Sequence, residues 1–347
     1  MRYDVIVIGG GQAGLAVGYY LRKTNFSYLI LDRDKQMGQQ WRDRYDSLVL
    51  FTPRLYSALP GLTMAGDPQG YPSKDEMADY LELYGKSFHL SIMHNQEVIK
   101  IDHTKDGFII FTSNTQFESK RIVLATGAFQ TPFVPPFAGQ LSADVVQMHS
   151  SEYRNPKQLQ RGTTLIVGGG NSGAQIATEC SEHQETYLAV SQPLRFLPLT
   201  IMKKSIFWWF EQLGLLAIDI QSRLGKRMRT WDDPIFGYTL KQALKQKKVM
   251  QKGRVIQAEG SLVSFNDRTQ IEVKNVIWAT GFKQMHPFFQ HPSLYDQNGK
   301  IKHQHGVTEI KGCYVIGLPW LHRRGSSLIL GVGEDAQFLV KHMQSLL

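Results

Sequence analysis

The chain has 347 residues, which suits about two domains of roughly 150 residues each. Hydrophobic residues make up 42% and charged residues 20%, which excludes a disordered, collagen-like or coiled-coil chain. The 39 lysines and arginines outnumber the 30 acidic residues and give a formal net charge of +9, so an anionic partner is expected: nucleic acid, an anionic membrane or nucleotide phosphates. The two cysteines, Cys180 and Cys313, exclude a disulfide scaffold, a CxxC redox pair and a four-cysteine zinc site.

The first predicted element is an apolar strand, residues 3–8, that runs directly into the loop Gly9-x-Gly11-x-x-Gly14. In such a loop the first glycine permits a tight turn, the second lets a pyrophosphate approach the backbone, and the third packs the following helix on the strand. The phosphates then lie on unpaired N–H groups at the helix N-terminus. A second strand pattern ends in Asp32, where an acidic residue binds a ribose hydroxyl. Because this strand opens the chain, we expect no signal peptide and a cytoplasmic location.

The same pattern recurs farther along the chain, as a strand at 164–167 and the loop Gly168-x-Gly170-x-x-Gly173. Each glycine loop is followed, at a similar distance, by a strand that ends in Ala-Thr-Gly; these turns are residues 125–127 and 279–281. A repeat on this scale indicates a duplicated dinucleotide-binding domain, and it predicts an α/β fold.

The second unit differs from the first at the end of its second strand, residues 185–190. No carboxylate stands there; Ser191 and Arg195 follow instead. A carboxylate would repel a ribose 2′-phosphate, whereas an arginine binds one through charge-assisted hydrogen bonds. The pattern therefore favours NADP over NAD at this site, with a solvated surface role for Arg195 as the alternative.

With its two glycine loops, its Ala-Thr-Gly turns and the stretch Gln40-Trp41-Arg42, the chain resembles the flavin-containing monooxygenase superfamily over nearly its whole length. The resemblance implies that the first loop binds FAD and the second NADPH. It implies an FAD site made of Gly9, Gly11, Gln12, Ala13, Gly14, Asp32, Arg33, Gln40, Trp41, Arg42, Thr52, Val98, Ala125, Thr126 and Gly127. It implies an NADPH site made of Gly168, Gly170, Asn171, Ser172, Gly173, Ser191, Arg195, Ala279, Thr280 and Gly281.

The resemblance also implies the domain organisation. Two Rossmann-like, three-layer domains are expected, with the NADP domain (155–284) inserted into an FAD domain (1–154 and 285–347). The family's sequence fingerprint that precedes residue 155 ends in His149 and Tyr153. Ala143 and Val145 stand where this fingerprint has a phenylalanine and a glycine. We interpret His149 as a residue that orients the NADPH domain rather than one that moves a proton.

A bound flavin carries the difficult chemistry, so the protein has only to position its partners. The resemblance implies a monooxygenase in which NADPH reduces FAD, O₂ adds at the flavin C4a position, and a small apolar or soft-nucleophile substrate is oxygenated. Asn171 and Thr52 are the candidate catalytic polar groups, with capping and hydrogen bonding as their plainer roles. The alternatives are a reductase that passes electrons to a disulfide, a quinone or a protein, and an FAD- or NADPH-sensing regulator of a transport system.

Two further expectations concern partners. The basic residues are scattered and no nucleic-acid-binding motif is present, so nucleic acid is not an expected partner. No metal is expected either, because the pair His303-x-His305 has no evident third ligand.

One aromatic segment stands apart: Trp208-Trp209, inside a predicted helical excursion over about 203–245 that basic residues flank. We expect it to pack on the NADP domain. A lid over an apolar substrate, a homodimer contact and a membrane-interface helix are the alternatives.

Overall fold

The computed structural model describes residues 1–297 and 299–346. The first part of the chain contains β1 (Arg2–Ile8), α1 (Gln12–Leu21), β2 (Tyr28–Leu31), α2 (Gln39–Arg42), α3 (Lys74–Ser87), β3 (Ile92–Met93), β4 (Val98–Thr104), β5 (Gly107–Thr112), β6 (Gln116–Leu124) and β7 (Thr131–Pro132). Short 3₁₀ turns lie at Arg54–Tyr56 and Pro136–Gln140.

The middle part contains β8 (Val146–His149), β9 (Thr164–Val167), α4 (Asn171–Ser181), β10 (Thr186–Ala189), β11 (Phe196–Leu197), β12 (Thr200–Ile201), β13 (Lys204–Ser205), α5 (Ile206–Gln212), α6 (Arg223–Met228), β14 (Ile235–Phe236), α7 (Thr239–Lys245), β15 (Val249–Lys252), β16 (Val255–Glu259), β17 (Leu262–Phe265), β18 (Gln270–Glu272) and β19 (Asn275–Trp278). The last part contains β20 (Phe282–Lys283), β21 (His303–Gln304), β22 (Val307–Thr308), β23 (Cys313–Val315) and α8 (Ile329–Gln344). Further 3₁₀ turns lie at Pro156–Gln158, Leu215–Ala217, Pro292–Leu294 and Arg324–Ser327.

The first sheet is centred on β1, whose residues Val5 to Ile8 are all buried. Such an unbroken apolar run is typical of a parallel strand that is covered on both faces. β1 pairs in parallel with β2 on one side and with β6 on the other. The C-terminal strand β23 pairs in parallel with β6, and helix α8 packs against α1, so the last part of the chain returns to the first sheet.

The second sheet has the order β15-β10-β9-β19-β8, and every pair in it is parallel. Its core strand β9 is fully buried, and α4 follows it as α1 follows β1. β19 lies beside β9 as β6 lies beside β1, so each Ala-Thr-Gly turn stands next to a glycine loop. The α/β prediction is confirmed, and the sequence repeat corresponds to this shared strand–helix–strand arrangement.

The excursion after β10 is only partly helical. After β11 it forms a β12–β13 hairpin and the short helices α5 and α6. It returns through β14, which pairs in parallel with β11. Among the described residues, no helix is both long and apolar enough to cross a membrane.

The expected packing of this excursion on the NADP domain is wrong for α5. Ile206 and Phe207 of α5 share an apolar cluster with Tyr56, and Phe51, Leu328 and Leu330 pack against it. These neighbours come from the segment after α2 and from the start of α8, both beside the first sheet. The physical reason is that the buried face of α5 meets aromatic and leucine side chains there, and the hydroxyl of Tyr56 donates to the Glu211 carboxylate.

Candidate functional site

The first glycine loop leaves β1 through Gly9, whose φ of 109° is one that side-chain-bearing residues rarely adopt. A Cβ on Gly14 would stand 1.9 Å from the carbonyl oxygen of Gly9, so the helix packs there only because the residue is glycine. A Cβ on Gly11, in contrast, would meet nothing within 4 Å. Among the residues that the structure describes, no side chain caps the N-terminus of α1. The loop therefore offers an open, glycine-lined approach to free helix N–H groups, as a pyrophosphate requires.

Asp32 lies at the carboxyl end of β2, beside this loop. Its side chain is buried, one carboxylate oxygen accepts from the backbone N–H of Asp34 at 3.2 Å, and the other faces Gly10. Burial is the main cause that raises the pKa of this carboxyl. The backbone N–H of Gln96 donates to the Asp32 carbonyl at 2.8 Å, which brings the segment that precedes Val98 to the same strand end.

The second glycine loop has the same geometry. Gly168 has a φ of 122°, and a Cβ on Gly173 would lie 2.0 Å from its carbonyl oxygen. A Cβ on Gly170 would meet nothing within 4 Å, and no side chain caps α4. In both loops the middle glycine leaves an open face that the packing of the protein does not require. This open face lets a dinucleotide phosphate approach the backbone.

The region beyond β10 is basic. Arg195 is exposed, and no carboxylate among the described residues forms an ion pair with it. An open cleft of about 410 Å³ lies beside Ser191 and is also lined by Lys252, from the end of β15, and by Asp267. Sequence reasoning missed Lys252, because only the pairing of β15 with β10 brings it next to Ser191.

Each of the two Ala-Thr-Gly turns is contacted by a histidine from elsewhere in the chain. His149 Nε2–H donates to the carbonyl of Gly281 at 3.0 Å, and Nδ1 accepts from Ser151. Burial lowers the pKa of His149, so this neutral form is favoured. His286 Nε2 lies 3.1 Å from the hydroxyl of Thr126, and burial lowers the pKa of His286 to about 4. Thr280 donates to the carbonyl of Phe133.

The two candidate catalytic groups are both engaged in local hydrogen bonds. The side-chain amide of Asn171 donates to the Pro234 carbonyl at 3.1 Å and accepts from the Phe236 N–H at 3.0 Å. The hydroxyl of Thr52 is buried and lies 2.7 Å from that of Ser57. Asn171 therefore fastens β14 to the start of α4, and a catalytic role for either residue stays a prediction.

The three predicted flavin-side residues of α2 have different surroundings. Trp41 packs against the core of the first sheet. Arg42 forms ion pairs with Asp79 and Glu82 of α3, at 2.8 and 3.0 Å, so its guanidinium group is turned toward that helix. Gln40 donates to the Asp34 carboxylate at 3.0 Å.

Arg44 is a residue that sequence reasoning passed over. Its guanidinium carbon lies 5.0 Å from the centre of the Phe129 ring and 5.8 Å from that of Phe282. No carboxylate of the described chain pairs with it, and burial lowers its pKa. Its flanking aromatic rings come from beyond β6 and from β20, so only the fold brings them to it.

An aromatic cluster lies between the two predicted catalytic groups. Phe51, next to Thr52, stacks on Phe236 with ring centres 4.6 Å apart, and Phe207 lies 5.3 Å from Phe236. Phe236 is also the residue whose N–H bonds to Asn171. The excursion therefore contributes an apolar wall where the first sheet's side of the molecule meets the second glycine loop.

Residues 6–194 match the family described as pyridine nucleotide-disulphide oxidoreductase. The chain belongs to this family. The oxidoreductase is 52% identical over 337 residues to an uncharacterized CzcO-like oxidoreductase of Geobacillus kaustophilus, with 97% of each chain covered. It is 27% identical over 368 residues to the probable indole-3-pyruvate monooxygenase YUCCA1 of Arabidopsis thaliana, covering 95% of this chain and 87% of that one. Among solved structures, a flavin-containing monooxygenase from Stenotrophomonas maltophilia matches with a TM-score of 0.85 at 25% identity over 99% of both chains.

These findings confirm the predicted relationship to the flavin-containing monooxygenases and the prediction of an enzyme. The pyridine-nucleotide family and the flavin monooxygenase neighbours support FAD and NADPH as the cofactors, as predicted. The open faces of Gly11 and Gly170 and the uncapped helices that follow them fit two such dinucleotides.

Proposed function

We propose that the oxidoreductase is an NADPH-dependent flavin monooxygenase that oxygenates a small apolar or soft-nucleophile substrate. The observation that carries the proposal is the aromatic wall of Phe51, Phe207 and Phe236, which lies between Thr52 and Asn171 at the second glycine loop. A bound flavin supplies the capacity to take a hydride from NADPH and to activate O₂. The protein's residues bind, orient and exclude water.

The first glycine loop is assigned to FAD. The N-terminal N–H groups of α1, from Gln12 and Ala13, hold the pyrophosphate, which Gly11 leaves room to approach. The buried Asp32 carboxylate accepts from ribose hydroxyls, and these hydrogen bonds offset the cost of its desolvation. The backbone near Val98, which the Gln96–Asp32 hydrogen bond holds at the end of β2, would contact the adenine end.

The second loop is assigned to NADPH. The α4 N-terminus, from Asn171 and Ser172, holds its pyrophosphate, and Arg195 holds the 2′-phosphate with Ser191 as a hydrogen-bond donor. Lys252 adds a second positive charge beside Ser191. Arg44, a cation without a carboxylate partner in the described chain, lies beside the rings of Phe129 and Phe282 and is suited to an anionic group of a bound ligand.

The excursion acts as a lid on the substrate side. Its residues Phe207 and Phe236 exclude water from the reaction site. Exclusion of water favours transfer of oxygen to the substrate over release of that oxygen as hydrogen peroxide. The hydrogen bond from the Tyr56 hydroxyl to Glu211 of α5 holds this helix against the first sheet's side of the molecule. The apolar lining favours a substrate with little charge.

The domain division remains part of the proposal. An NADP domain is inserted in an FAD domain, and β23 and α8 complete the latter. Strand β8 (Val146–His149) pairs with β19 of the second sheet, so we place the first boundary before residue 146 rather than after 154.

The reductase alternative requires an external electron acceptor. Cys180 and Cys313 are both buried, and burial raises their thiol pKa values, to about 11 and about 12. Neither thiol is therefore placed to take electrons and release them to a partner. The regulator alternative requires that NADPH binds without rapid flavin reduction.

One experiment separates the three. Purified FAD-loaded enzyme is mixed with NADPH under air, and NADPH oxidation, O₂ uptake and hydrogen peroxide release are followed with and without a panel of indoles, thioethers and ketones. A monooxygenase consumes equal amounts of NADPH and O₂ and converts a panel member to a product with one added oxygen atom. A parallel reaction without O₂ follows flavin reduction by its absorbance. Fast reduction there, without any oxygenated product under air, favours the reductase, and absence of flavin reduction favours the regulator.

A further inference from the structure

Three potential metal ligands from three separate segments meet outside the dinucleotide sites. His305 lies in the turn between β21 and β22, His322 lies before the 3₁₀ turn at 324–327, and Asp335 lies in the second turn of α8. One ligand atom from each lies within 4.8 Å of the other two. Asp335 Oδ1 is 3.2 Å from His305 Nε2 and 3.8 Å from His322 Nδ1.

Asp335 is the unusual member of the group, because its side chain is 0% exposed. Its second oxygen, Oδ2, is buried and has no hydrogen-bond partner in the described chain. A buried carboxylate with an unsatisfied oxygen is costly unless a cation compensates it. Its presence therefore points to a positively charged ligand that the protein side chains themselves do not fully supply.

The two histidines are held in place by their surroundings. The His305 ring is stacked between His322, at 3.7 Å, and Phe338, at 3.8 Å. His322 turns its other nitrogen, Nε2, to the carboxylate of Asp219 at 3.1 Å. A histidine that binds a metal through one nitrogen commonly donates its other N–H to a carboxylate, and this fixes the ring and its tautomer. Asp219 stands in that position.

We propose that His305, His322 and Asp335 form a binding site for a divalent transition-metal ion, with Asp219 as the outer carboxylate. Two imidazole nitrogens and one carboxylate oxygen are a donor set that suits Zn²⁺ and its first-row neighbours, with open positions for water. Donor atoms of a tetrahedral site lie about 3.4 Å apart when each bond is about 2.1 Å. The spacings of 3.2 and 3.8 Å from the Asp335 oxygen are close to this value, and the two imidazole nitrogens, within 4.8 Å of each other, reach it by rotation of the exposed-side ring of His322.

The site is also reachable. The side chains of His305 and His322 are 18% and 29% exposed, so an ion enters from solvent on the histidine side and meets the buried carboxylate. The proposed metal site connects α8 with the β21–β22 turn and, through Asp219, with the excursion. None of these residues belongs to the proposed dinucleotide sites, so the inference does not depend on the proposed function.

The test is equilibrium dialysis of the FAD-loaded enzyme against Zn²⁺, with bound zinc measured by mass spectrometry. We expect one zinc ion per chain in the wild type. His305→Gln and His322→Gln each weaken binding tenfold or more, and Asp219→Asn weakens it about tenfold, as outer ligands usually do. Asp335→Asn abolishes binding. Because Asp335 is buried, the variants of the more exposed His305 and His322 carry the test if Asp335→Asn fails to fold.

The matched control is His103→Gln, because His103 lies on β4, outside the cluster. It leaves zinc binding unchanged, and flavin absorbance confirms that every variant is folded. Absence of one-to-one zinc uptake by the wild type overturns the proposal. Equal uptake by the wild type and both histidine variants overturns it as well, because the ion then binds elsewhere.

Discussion

A Cβ added to Gly14 would stand 1.9 Å from the carbonyl oxygen of Gly9. The same addition at Gly11, three residues earlier, meets nothing within 4 Å. The two glycines of one loop therefore have different tasks. Gly14 is required by the packing of α1 on β1, whereas Gly11 is required only if something else occupies the space beside it.

Gly11→Val is accordingly expected to give a folded but colourless protein. The backbone at Gly11 is extended (φ −74°, ψ −174°), which valine adopts readily, so the branched side chain blocks the pyrophosphate without a clash inside the protein. Circular dichroism measures folding and flavin absorbance measures FAD. Gly14→Ala serves as the contrast, with a loss of stability of about 1–3 kcal/mol or more from overpacking. Stoichiometric FAD in Gly11→Val contradicts the placement of FAD at this loop.

Arg195→Ala is expected to raise the KM for NADPH by roughly 10- to 100-fold and to leave that for NADH unchanged. The lost interaction is a charge-assisted hydrogen bond, worth about 1.5–3 kcal/mol. Steady-state kinetics with both nucleotides measure the effect. Arg161→Ala, an exposed arginine that lines a separate cleft with His183 and Glu185, is the control. Equal losses for both nucleotides speak against a 2′-phosphate contact.

Replacement of both cysteines is expected to leave flavin reduction intact. Cys180 and Cys313 are buried, their thiol pKa values are raised to about 11 and about 12 by burial, and alanine preserves the apolar surroundings. The double variant Cys180→Ala/Cys313→Ala therefore reduces FAD with NADPH at a rate within about twofold of the wild type. Stopped-flow absorbance measures the rate. If the double variant has normal FAD content but no longer transfers electrons in catalysis, an internal thiol relay is required.

Stability is expected to fall as the pH drops from 6.5 toward 4. Burial lowers the folded-state pKa of His286 from 6.5 to about 4, so the unfolded chain takes up a proton in this range before the folded chain does. The full effect is about 3 kcal/mol, at roughly 1.4 kcal/mol per pKa unit. Denaturant unfolding at a series of pH values measures it. His286→Gln flattens the slope between pH 6.5 and 4, and His183→Gln, at an exposed site, keeps the wild-type slope.

The lid is expected to control how efficiently NADPH oxidation is coupled to oxygenation. Phe207→Ala removes a ring that contacts Phe51, Tyr56 and Phe236, and such a truncation costs about 3–5 kcal/mol of packing. Water then reaches the apolar wall, and the fraction of NADPH oxidation that ends as hydrogen peroxide rises. Phe207→Leu, which keeps most of the volume, is the milder control. An unchanged peroxide yield in a folded Phe207→Ala enzyme argues against a lid.

Much of the molecule was predictable because its determinants are local. Residues 3–8 and 164–167 are apolar runs that end at glycines, and a tight turn into a helix needs those glycines at those spacings. Asp32 follows β2 directly and Arg195 comes six residues after the end of β10, so the chemical difference between the two units is set by residues close to each strand end. The assignment of the cofactors followed from these loops together with the family resemblance.

What could not be predicted depends on contacts between distant residues. The packing of α5 was misjudged, because its apolar face is compatible with either unit and only the positions of Phe51, Leu328 and Leu330 decide between them. Lys252 reaches Ser191 through strand pairing.

The histidines show the same limit. The sequence offered His303 and His305 as neighbours and no third ligand, whereas the fold brings His305 to His322 and Asp335. The sequence alone determined the strand–turn–helix units and their charge, because these are set by residues a few positions apart. The tertiary structure decided which side chains share a site, because burial and sheet order bring together residues that no local spacing relates.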